Sequence, residues 1–424
     1  MAERSLAERD QAVIWHPYTQ MQNAALPVPI VKGEGVYLIA EDGKKYIDAV
    51  SSWWVNIHGH AHPYIAARVA EQLLTLEHVI FAGFTHPAAV DLAERLLAIL
   101  PDNQKKAFYS DNGSTAVEVA LKMCFQYWAN TGQARTKVLA FRDSYHGDTF
   151  GAMSVSSRSA FTRPFEQLLF DVEFIDLPCA ENIDRLKAQL SALSSQLSAF
   201  IFEPLIQGAG GMNMYEALYL DELMAHCGEL GILTIADEVM TGFGRTGKLF
   251  ASAWLSSQPD IMCFSKGITG GTMALGLTTS SQKIYDAFLS EDKLKTLFHG
   301  HSFTANPVAC SAALASLDIL LKDETWDDIN RIVHRHKSFA ARIKGNPKLK
   351  TVRQTGTVLA LEWETGNSTS YFNSLRDTLY NFFLQEGVIL RPLGNIIYIM
   401  PPYCISNEQL DYIYQKIEKA LEQF

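Results

Sequence analysis

A lysine that follows a strongly apolar stretch is the first residue in this sequence whose position suggests chemistry. Four apolar residues, Ile261–Phe264, have the pattern of a buried strand, and Lys266 comes shortly after them, with glycines at 267, 270 and 271. A buried ammonium group is costly to desolvate, so such a lysine is usually paired, deprotonated or used chemically. The pattern alone leaves two interpretations, a solvated lysine at the end of a loop or a working amine.

An acidic pair stands in a similar position 29 residues earlier. Asp237 and Glu238 end the apolar segment ILTIADEV, which has the character of a strand. Ligands of open α/β sheets bind at the carboxyl ends of the strands, so a carboxylate there can face a cofactor. A helix cap or a structural ion pair is the alternative explanation for these acids.

A third candidate is an anion site at the start of a helix. The segment SDNGSTAVE follows a short strand-like stretch and opens a helical pattern. The free amides and the positive dipole end of a helix N-terminus favour a phosphate, while Gly113 permits close approach and Ser114 adds a hydroxyl donor. The same segment also fits ordinary helix capping, with Thr115 and Glu118 as a capping box.

Aromatic loops add a possible surface for a flat ligand. Tyr145, His146 and Asp148 follow another strand-like segment, where an aromatic ring can stack on such a ligand. Trp53 and Trp54 stand together in a loop near the N-terminus and fit either a pocket or a core. Neither group decides the function by itself.

Two further motifs indicate other chemistries, and both are weak. The segment GFGRTG, residues 242–247, matches the GxGxxG pattern of dinucleotide sites, but the acids precede it and a poor helix opening follows it. The segment HGHAHP places histidines at positions 58, 60 and 62 with no acidic neighbour in the sequence. We therefore expect no metal site there.

Seven strand-like segments must position the candidate residues, and they are KAFYS, KVLAFR, VEFIDL, AFIFEPLI, ILTIADEV, IMCF and LGLTTSS. Several are apolar throughout, which indicates burial on both faces and hence a mainly parallel sheet covered by helices. The last part of the chain changes to helices followed by shorter strands. We predict an α/β protein with a large domain at residues 56–305 and a smaller α+β domain built from both chain ends, residues 1–55 and 306–424.

Composition limits the possible partners. The 424 residues carry a formal net charge of −10 without a visible basic face, so nucleic acid is not an expected partner. Six scattered cysteines form no CxxC pair, which fits a reducing compartment. The first fifteen residues lack the apolar core of a secretion signal, and no run of about 18 apolar residues occurs. We expect a cytoplasmic protein with no membrane partner.

A phosphate anchor, a flat ring, an acid at a strand end and a lysine are the parts that pyridoxal phosphate requires. The sequence resembles the class III aminotransferases of fold type I over nearly its whole length, from WHPYTQM to YIMPP. The resemblance rests on five segments in the family's order, YHGDTFGAMSV, EPLIQGAGGM, ADEVMTGFGRTGKLFA, SKGITGG and HGHSFTANPVACSAALA. It implies the fold type I architecture, with a mainly parallel seven-stranded sheet in the large domain, and pyridoxal 5'-phosphate as the cofactor.

The resemblance also implies catalytic and cofactor-binding roles. Lys266 would bind the cofactor covalently and act as acid and base, Asp237 would keep the pyridine nitrogen protonated, and Tyr145 would lie against the ring. Gly113 and Ser114 would bind the phosphate. In this family the other subunit also reaches the phosphate, here with Gly300, His301 and Ser302, which implies a homodimer with a shared active site.

Further positions are implied to contact the substrates, and they are Tyr18, Trp53, Trp54, Tyr145, Asp148, Gly300 and Arg391. Arg391 matches the position that pairs with the carboxylate of the acceptor ketone. Glu203 and Gln207 would lie near the ring hydroxyl, and Arg245 would orient the pocket loop.

Within the family, the segments WHPYTQM, SSWW, ALKMCFQYW and RPLGNIIYIMPPY resemble members that convert 8-amino-7-oxononanoate to 7,8-diaminononanoate in biotin synthesis, with S-adenosylmethionine as amino donor. His301 and Ser302 replace the Pro-Thr of those members, so a version that uses lysine, or another class III ω-aminotransferase, stays open. A nicotinamide-dependent oxidoreductase based on GFGRTG and a catalytically silent binding protein are the rivals from other classes. The intact Lys266 and Asp237 argue against the silent protein.

Overall fold

The computed structural model describes residues 4–366, 369 and 371–424. The helices are Leu6–Val13, Pro63–Thr75, Pro87–Leu97, Gly113–Asn130, Phe150–Val155, Ile183–Leu193, Ala217–Leu230, Gln282–Asp286, Pro307–Leu320, Asp323–Ile343, Leu375–Gln385 and Asn407–Gln423. Short 3₁₀ turns lie at Arg163–Leu168, Ala251–Trp254, Lys266–Thr269 and Lys293–Lys295, and Ser51–Trp54 forms a separate single turn. Within the described residues, no helix is both long and apolar enough to cross a membrane.

A seven-stranded sheet forms the centre of the protein. Its strands, in spatial order, are Gln104–Ser110, Gly276–Ser281, Ile261–Phe264, Leu233–Asp237, Leu197–Phe202, Lys137–Phe141 and Val172–Ile175. Only Gly276–Ser281 runs antiparallel to its neighbours. Each of the seven predicted strand segments lies in this sheet, so the predicted mainly parallel architecture is confirmed. The strand Leu197–Phe202 is buried at every position, as its continuous apolar sequence requires.

The parallel strands direct their carboxyl ends to one edge of the sheet. Five of these strands end at Ser110, Phe141, Phe202, Asp237 and Phe264. The loops that follow them therefore meet at the same edge, although they are far apart in the sequence. This is the edge where open α/β sheets bind their ligands.

Three smaller sheets flank the central one. The N-terminal sheet contains Ile30–Glu34, Tyr37–Ala40, Lys45–Asp48 and Val388–Ile389, the C-terminal sheet contains Leu349–Thr355, Val358–Trp363 and Ile396–Ile399, and a short ribbon pairs Ile206–Gln207 with Asn213–Met214. The strand Val388–Ile389 pairs in parallel with Lys45–Asp48, so both chain ends contribute to one sheet. The domain boundaries at residues 55 and 305 stay a prediction.

The helix Gly113–Asn130 begins with a reciprocal cap. The Asn112 side chain accepts a hydrogen bond from the Thr115 amide at 2.9 Å, and Thr115 Oγ1 accepts one from the Asn112 amide at 3.1 Å. The cap therefore lies three residues earlier than a Thr115–Glu118 capping box would place it. Glu118 instead accepts a hydrogen bond from the Gly151 amide at 2.7 Å and joins this helix to the start of the next one.

Gly276→Ala is expected to destabilise the protein by roughly 1–3 kcal/mol, because it overpacks a contact with backbone. A Cβ atom at Gly276 would lie 2.4 Å from the Asn112 carbonyl oxygen and 2.4 Å from Ser110 Oγ. Gly228→Ala is the matched control, since an added Cβ there meets nothing within 4 Å. Alanine is favoured over glycine inside a helix, so this control is expected to be neutral or more stable by up to about 1 kcal/mol. Urea unfolding of both variants measures the difference, and equal effects would contradict the packing argument.

Candidate active site

Lys266 lies just beyond the carboxyl end of the buried strand Ile261–Phe264. Its backbone has a φ of 48°, in the left-handed region that non-glycine residues rarely adopt. Its Nζ atom lies 4.5 Å from the centre of the Trp54 ring. Burial lowers the pKa of Lys266 to about 8, while the charges of Asp237 and Glu203 oppose that shift. Near neutral pH, a fraction of the protein molecules therefore carries Lys266 as the neutral, nucleophilic amine.

Lys266 lines a cavity of about 450 Å³, here called the inner cavity. Most of its wall comes from the loops after the parallel strands, with Gly113, Ser114, Tyr145, His146 and Asp237, and Trp54 adds a part from outside the central sheet. The structure therefore brings together five residues that the sequence singled out separately.

A buried carboxylate and imidazole form one wall of the inner cavity. Asp237 Oδ2 lies 2.7 Å from His146 Nδ1, and Asp237 Oδ1 accepts a hydrogen bond from the Val239 amide at 3.0 Å. Two partners therefore hold the Asp237 carboxylate in one orientation. Glu238 has a different environment, because its carboxylate accepts hydrogen bonds from backbone amides of the turn Ala251–Trp254.

The start of the helix Gly113–Asn130 forms another wall of the inner cavity. The first N–H groups of a helix have no partner within the helix, and because Asn112 caps the Thr115 amide, the amides of Gly113 and Ser114 are the ones that an anion can use. A Cβ atom at position 113 would lie 2.7 Å from a methyl carbon of Val239, so glycine allows the close packing of these two segments. Ser114 Oγ accepts a hydrogen bond from the Asp148 amide at 3.2 Å, which ties the two loops together.

A buried carboxylate fixes the loop that carries Tyr145. Glu203 accepts hydrogen bonds from the Tyr145 amide at 2.9 Å and from the Gly208 amide at 2.8 Å. Burial raises the pKa of Glu203 to about 7, and the electrostatic interaction with His146 opposes this shift. Gln207 has a different contact, because its side-chain amide donates a hydrogen bond to the Arg142 carbonyl at 2.7 Å.

The groups in the inner cavity fit pyridoxal phosphate. The Lys266 amine can bind the aldehyde, the Asp237 carboxylate can face the pyridine nitrogen, and a helix N-terminus with a serine hydroxyl can hold the phosphate. The phenol ring of Tyr145 supplies a flat surface. The donor set thus matches each polar part of the cofactor.

A second cavity of about 630 Å³, here called the outer cavity, adjoins the inner one and shares Lys266, Trp54 and Tyr145 with it. Aromatic side chains form part of its wall, and among them Tyr18 and Trp53 are in edge contact at 5.7 Å between ring centres. The Tyr18 hydroxyl donates a hydrogen bond to Asp148 and lies 3.4 Å from the Tyr145 hydroxyl. The outer cavity therefore suits an apolar chain with a few polar ends.

Arg391 supplies a cation to the wall of the outer cavity. Its guanidinium carbon lies 4.1 Å from the centre of the Trp53 ring. Among the residues that the structure describes, it has no carboxylate partner. An unpaired guanidinium in an aromatic cavity is a natural site for a ligand carboxylate, which it can bind with two parallel hydrogen bonds.

Comparison with known proteins agrees with this geometry. The family model for class III aminotransferases matches residues 18–421. The chain belongs to the class III aminotransferases. Enzymes of this family depend on pyridoxal phosphate, and the amine transaminase from an uncultivated Pseudomonas species, solved with it bound, has a TM-score of 0.91 and 31% identity over 97% of this aminotransferase and 98% of that chain.

Other relatives of this aminotransferase carry a more specific name. Adenosylmethionine-8-amino-7-oxononanoate aminotransferase from Synechococcus elongatus is 45% identical over 97% of this chain and 98% of its own length, and that from Geobacter sulfurreducens is 39% identical over 99% and 97%. The crystal structure of the enzyme of that name from Methanocaldococcus jannaschii has a TM-score of 0.94 and 34% identity, and the match covers 99% of this chain and 98% of that one.

The segment GFGRTG has a structural position in this aminotransferase. It forms successive turns rather than the strand, turn and helix of a dinucleotide site. Arg245 within it is buried and donates hydrogen bonds to the carbonyls of Pro401 at 2.9 Å and Trp54 at 3.4 Å. It therefore contacts the segment that carries Trp54 through that residue's backbone.

Two histidines of HGHAHP, His58 and His60, have separate hydrogen-bond partners. His58 Nε2 lies 3.0 Å from Ser316 Oγ, and His60 Nε2 lies 2.9 Å from Asp48 Oδ2. In the described parts of the chain, no group of three histidine, cysteine or acidic side chains has the arrangement of a metal site. Burial lowers the pKa of His58 to about 3, as expected for a neutral histidine in the interior.

The segment Gly300–Ser302 lies away from both cavities of this chain. Neither cavity, as far as the described residues go, is lined by Gly300, His301 or Ser302. The amide of His301 donates to Thr304 Oγ1 at 3.1 Å within its own loop.

His146 is a site residue whose role could not be assigned from the sequence. It was part of the cluster YHGD, but its partner Asp237 is 91 residues away and becomes a neighbour only through the strand order. Its second nitrogen, Nε2, is buried and has no hydrogen-bond partner among the described residues. The available sequence signal was its position directly after Tyr145, at the end of a strand.

Lys266→Met is expected to stabilise the cofactor-free protein by about 2 kcal/mol at pH 7, because it removes a buried ammonium whose pKa is depressed. Between pH 8 and 10.5 the unfolded chain holds a proton that the folded protein has released, so the stability of the parent rises with pH in this window. The advantage of the variant should therefore shrink across it. Urea unfolding at several pH values measures this, with the exposed Lys105→Met as control. If the difference in the free energy of unfolding between Lys266→Met and the parent stays constant with pH, the pKa of Lys266 is not depressed.

Proposed function

We propose that this class III aminotransferase transfers an amino group from S-adenosylmethionine to 8-amino-7-oxononanoate, forming 7,8-diaminononanoate in biotin synthesis. The relatives that match nearly the whole chain carry the corresponding name. The observation that carries the proposal is the unpaired Arg391 in the cavity that also contains the Lys266 amine. This arrangement fits an acceptor that has a carboxylate at one end and a ketone at the other.

The acceptor would lie in the outer cavity. Its carboxylate would pair with Arg391, and its alkyl chain would lie along the rings of Trp53 and Tyr18. Its ketone would then point toward Lys266, which both cavities share. A polar group at each end and an apolar middle thus fix the direction in which the acceptor binds.

Four residues of the inner cavity would hold the cofactor. Gly113 and Ser114 would bind its phosphate at the helix N-terminus, Asp237 would keep its pyridine nitrogen protonated, and Tyr145 would lie against its ring. The hydrogen bond from His146 keeps the Asp237 carboxylate directed for this task. Pyridoxal phosphate, when bound, supplies an aldehyde that condenses with amines and a ring that withdraws electrons from the neighbouring carbon.

Lys266 would carry out the proton transfers. Its Nζ atom would hold the cofactor at rest, and as a free amine it would move protons. With a pKa near 8, the free amine can accept a proton from the carbon that bears the donor's amino group and later return one to the acceptor carbon. The depressed pKa allows one nitrogen to serve as base and acid at neutral pH.

The donor would use the aromatic part of the outer cavity. A sulfonium cation is attracted to the faces of aromatic rings, and Tyr18 and Tyr145 supply such rings in the wall of the outer cavity. The carboxylate of Asp148, which accepts the Tyr18 hydroxyl, adds a negative charge. Lysine as donor is the second candidate, because His301 and Ser302 depart from the pattern of the adenosylmethionine-using relatives.

The working enzyme would be a cytoplasmic homodimer. Gly300, His301 and Ser302 would reach the phosphate in the other subunit, since they lie away from the cavities of their own chain. The serine hydroxyl keeps a donor for the phosphate. Sedimentation equilibrium tests this proposal, and a mass of one chain for the active enzyme would contradict it.

S-Adenosylmethionine alone is expected to change the visible absorbance of the bound cofactor, because the first half of a transamination needs no acceptor. The holoenzyme is mixed separately with S-adenosylmethionine, lysine and an ω-amine, and the ketone is then added. Only the true donor should support formation of 7,8-diaminononanoate. Lys266→Ala should reduce turnover by about 10³-fold or more, since it removes the acid–base group. Turnover with lysine alone would shift the proposal to the second candidate.

Arg391→Ala is expected to raise the KM for 8-amino-7-oxononanoate about 10- to 100-fold with little change in kcat, because it removes a charge-assisted contact far from the reacting atoms. The KM of Arg391→Lys should lie between those of the parent and Arg391→Ala, since lysine keeps the charge but cannot form the bidentate pair. The methyl ester of the ketone is the control, and the three enzymes should use it with similar KM values. An unchanged KM for the free acid would exclude Arg391 from acceptor binding.

A further inference from the structure

The turn that carries the two adjacent tryptophans has an unusual backbone. Four successive residues, Ser51–Trp54, have φ values of 51°, 46°, 69° and 77°. The Val55 amide donates to the Ser51 carbonyl at 2.9 Å, so the segment is one turn of left-handed helix. Non-glycine residues adopt this conformation at a cost, and normally only singly. A run of four therefore requires strong support from the surrounding structure.

A buried carboxylate provides much of that support. Asp48 is fully buried and accepts hydrogen bonds from the Val50 amide at 3.2 Å and from the Ser52 hydroxyl at 2.7 Å. The imidazole of His60 lies 2.9 Å from the same carboxylate. At the other side, the Ser51 hydroxyl donates to a backbone carbonyl at 2.8 Å. The turn is thus anchored by side chains on both sides.

The turn places an indole beside each cation of the active site. The Lys266 Nζ atom lies 4.5 Å from the centre of the Trp54 ring, and the Arg391 guanidinium carbon lies 4.1 Å from the centre of the Trp53 ring. Successive side chains leave a helical turn about 100° apart, so one turn can present adjacent residues to two different groups. The Trp54 indole is itself fixed, because its N–H donates to the Tyr398 hydroxyl at 2.9 Å.

We propose that the left-handed turn Ser51–Trp54 is a positioning element that sets both active-site cations, with Trp54 receiving the free ammonium of Lys266 and Trp53 holding the guanidinium of Arg391. Desolvated cations gain free energy on the face of tryptophan. The part concerning Arg391 rests on the proposed function, in which that residue binds a carboxylate. The part concerning Lys266 applies to any reaction that frees this amine.

Other charged groups also act on Lys266, and they must be held constant in a test. Asp237 and Glu203 favour its protonated form, and Arg245 disfavours it. None of the three belongs to the turn. Arg245 does donate a hydrogen bond to the Trp54 carbonyl at 3.4 Å, so a change in the turn tests Trp54 together with this one contact.

Ser52→Val tests the proposal because a β-branched residue is strongly disfavoured in left-handed backbone. Ala61→Val is the matched control, since Ala61 has a φ of 53°, is exposed and lines neither cavity among the described residues. Ser52→Ala is the milder variant if Ser52→Val does not fold. It removes the hydrogen bond to Asp48 and is expected to change both measurements below in the same direction, but less.

Two measurements report on the two cations separately. In the cofactor-free full-length protein, the pH dependence of Lys266 arylation by trinitrobenzenesulfonate, followed by peptide mass analysis, gives the protonation midpoint of the amine. Ser52→Val should lower this midpoint by about one pH unit, because the ammonium loses the Trp54 face. In the holoenzyme, calorimetric titration with octanoate gives the affinity for a carboxylate with an alkyl chain. Ser52→Val should weaken it about tenfold.

The control defines the outcomes. Ala61→Val should lower the melting temperature but leave the arylation midpoint and the octanoate affinity unchanged. If Ser52→Val, or Ser52→Ala in its place, also lowers only the melting temperature, or changes one of the two measurements and not the other, the proposal is wrong. Octanoate that does not bind the parent would overturn the Arg391 part. Octanoate binding without turnover of the ketone would count against the proposed function alone.

Discussion

The active site depends on the balance between desolvation and electrostatic attraction at one amine, that of Lys266, at the edge of an apolar sheet. Desolvation pushes the pKa of Lys266 down, and the carboxylates of Asp237 and Glu203 push it up. With burial alone the amine would stay neutral and would be a poor proton donor. With closer carboxylates it would stay charged and would be a poor nucleophile. The surrounding loops hold both opposing effects near a balance that suits neutral pH.

Two cavities of different character share this amine. The inner cavity collects groups that match a charged, flat cofactor, and the outer cavity combines aromatic rings with the cations of Arg158 and Arg391. Because the parallel strands all end at the same edge, loops from five strands can build the inner cavity without long insertions. The outer cavity uses Tyr18 and Arg391, which come from opposite ends of the chain. Both chain ends must therefore fold onto the central sheet before a substrate can bind.

Most of the fold and part of the site could be predicted from the sequence. Burial on both faces leaves a clear apolar signal, and Lys266 and Asp237 stand out because each follows such a segment. The pairing of His146 with Asp237 could not be predicted, since only the strand order brings them together. The left-handed backbone of Ser51–Trp54 also gave no signal, because serine and tryptophan do not favour it and the contacts of Asp48 impose it.

The hydrogen bond between Glu118 and the Gly151 amide has a consequence for evolution. It joins the helix that begins at Gly113 to the helix Phe150–Val155, which follows the loop that carries Tyr145, so two walls of the inner cavity form one tied unit. Tyr18 and Phe161, on the aromatic side of the outer cavity, belong to other segments. Mutations can therefore reshape that side while the tied unit stays in place. A change on the aromatic side can thus alter which amines and ketones fit, while the groups that match the cofactor stay unchanged.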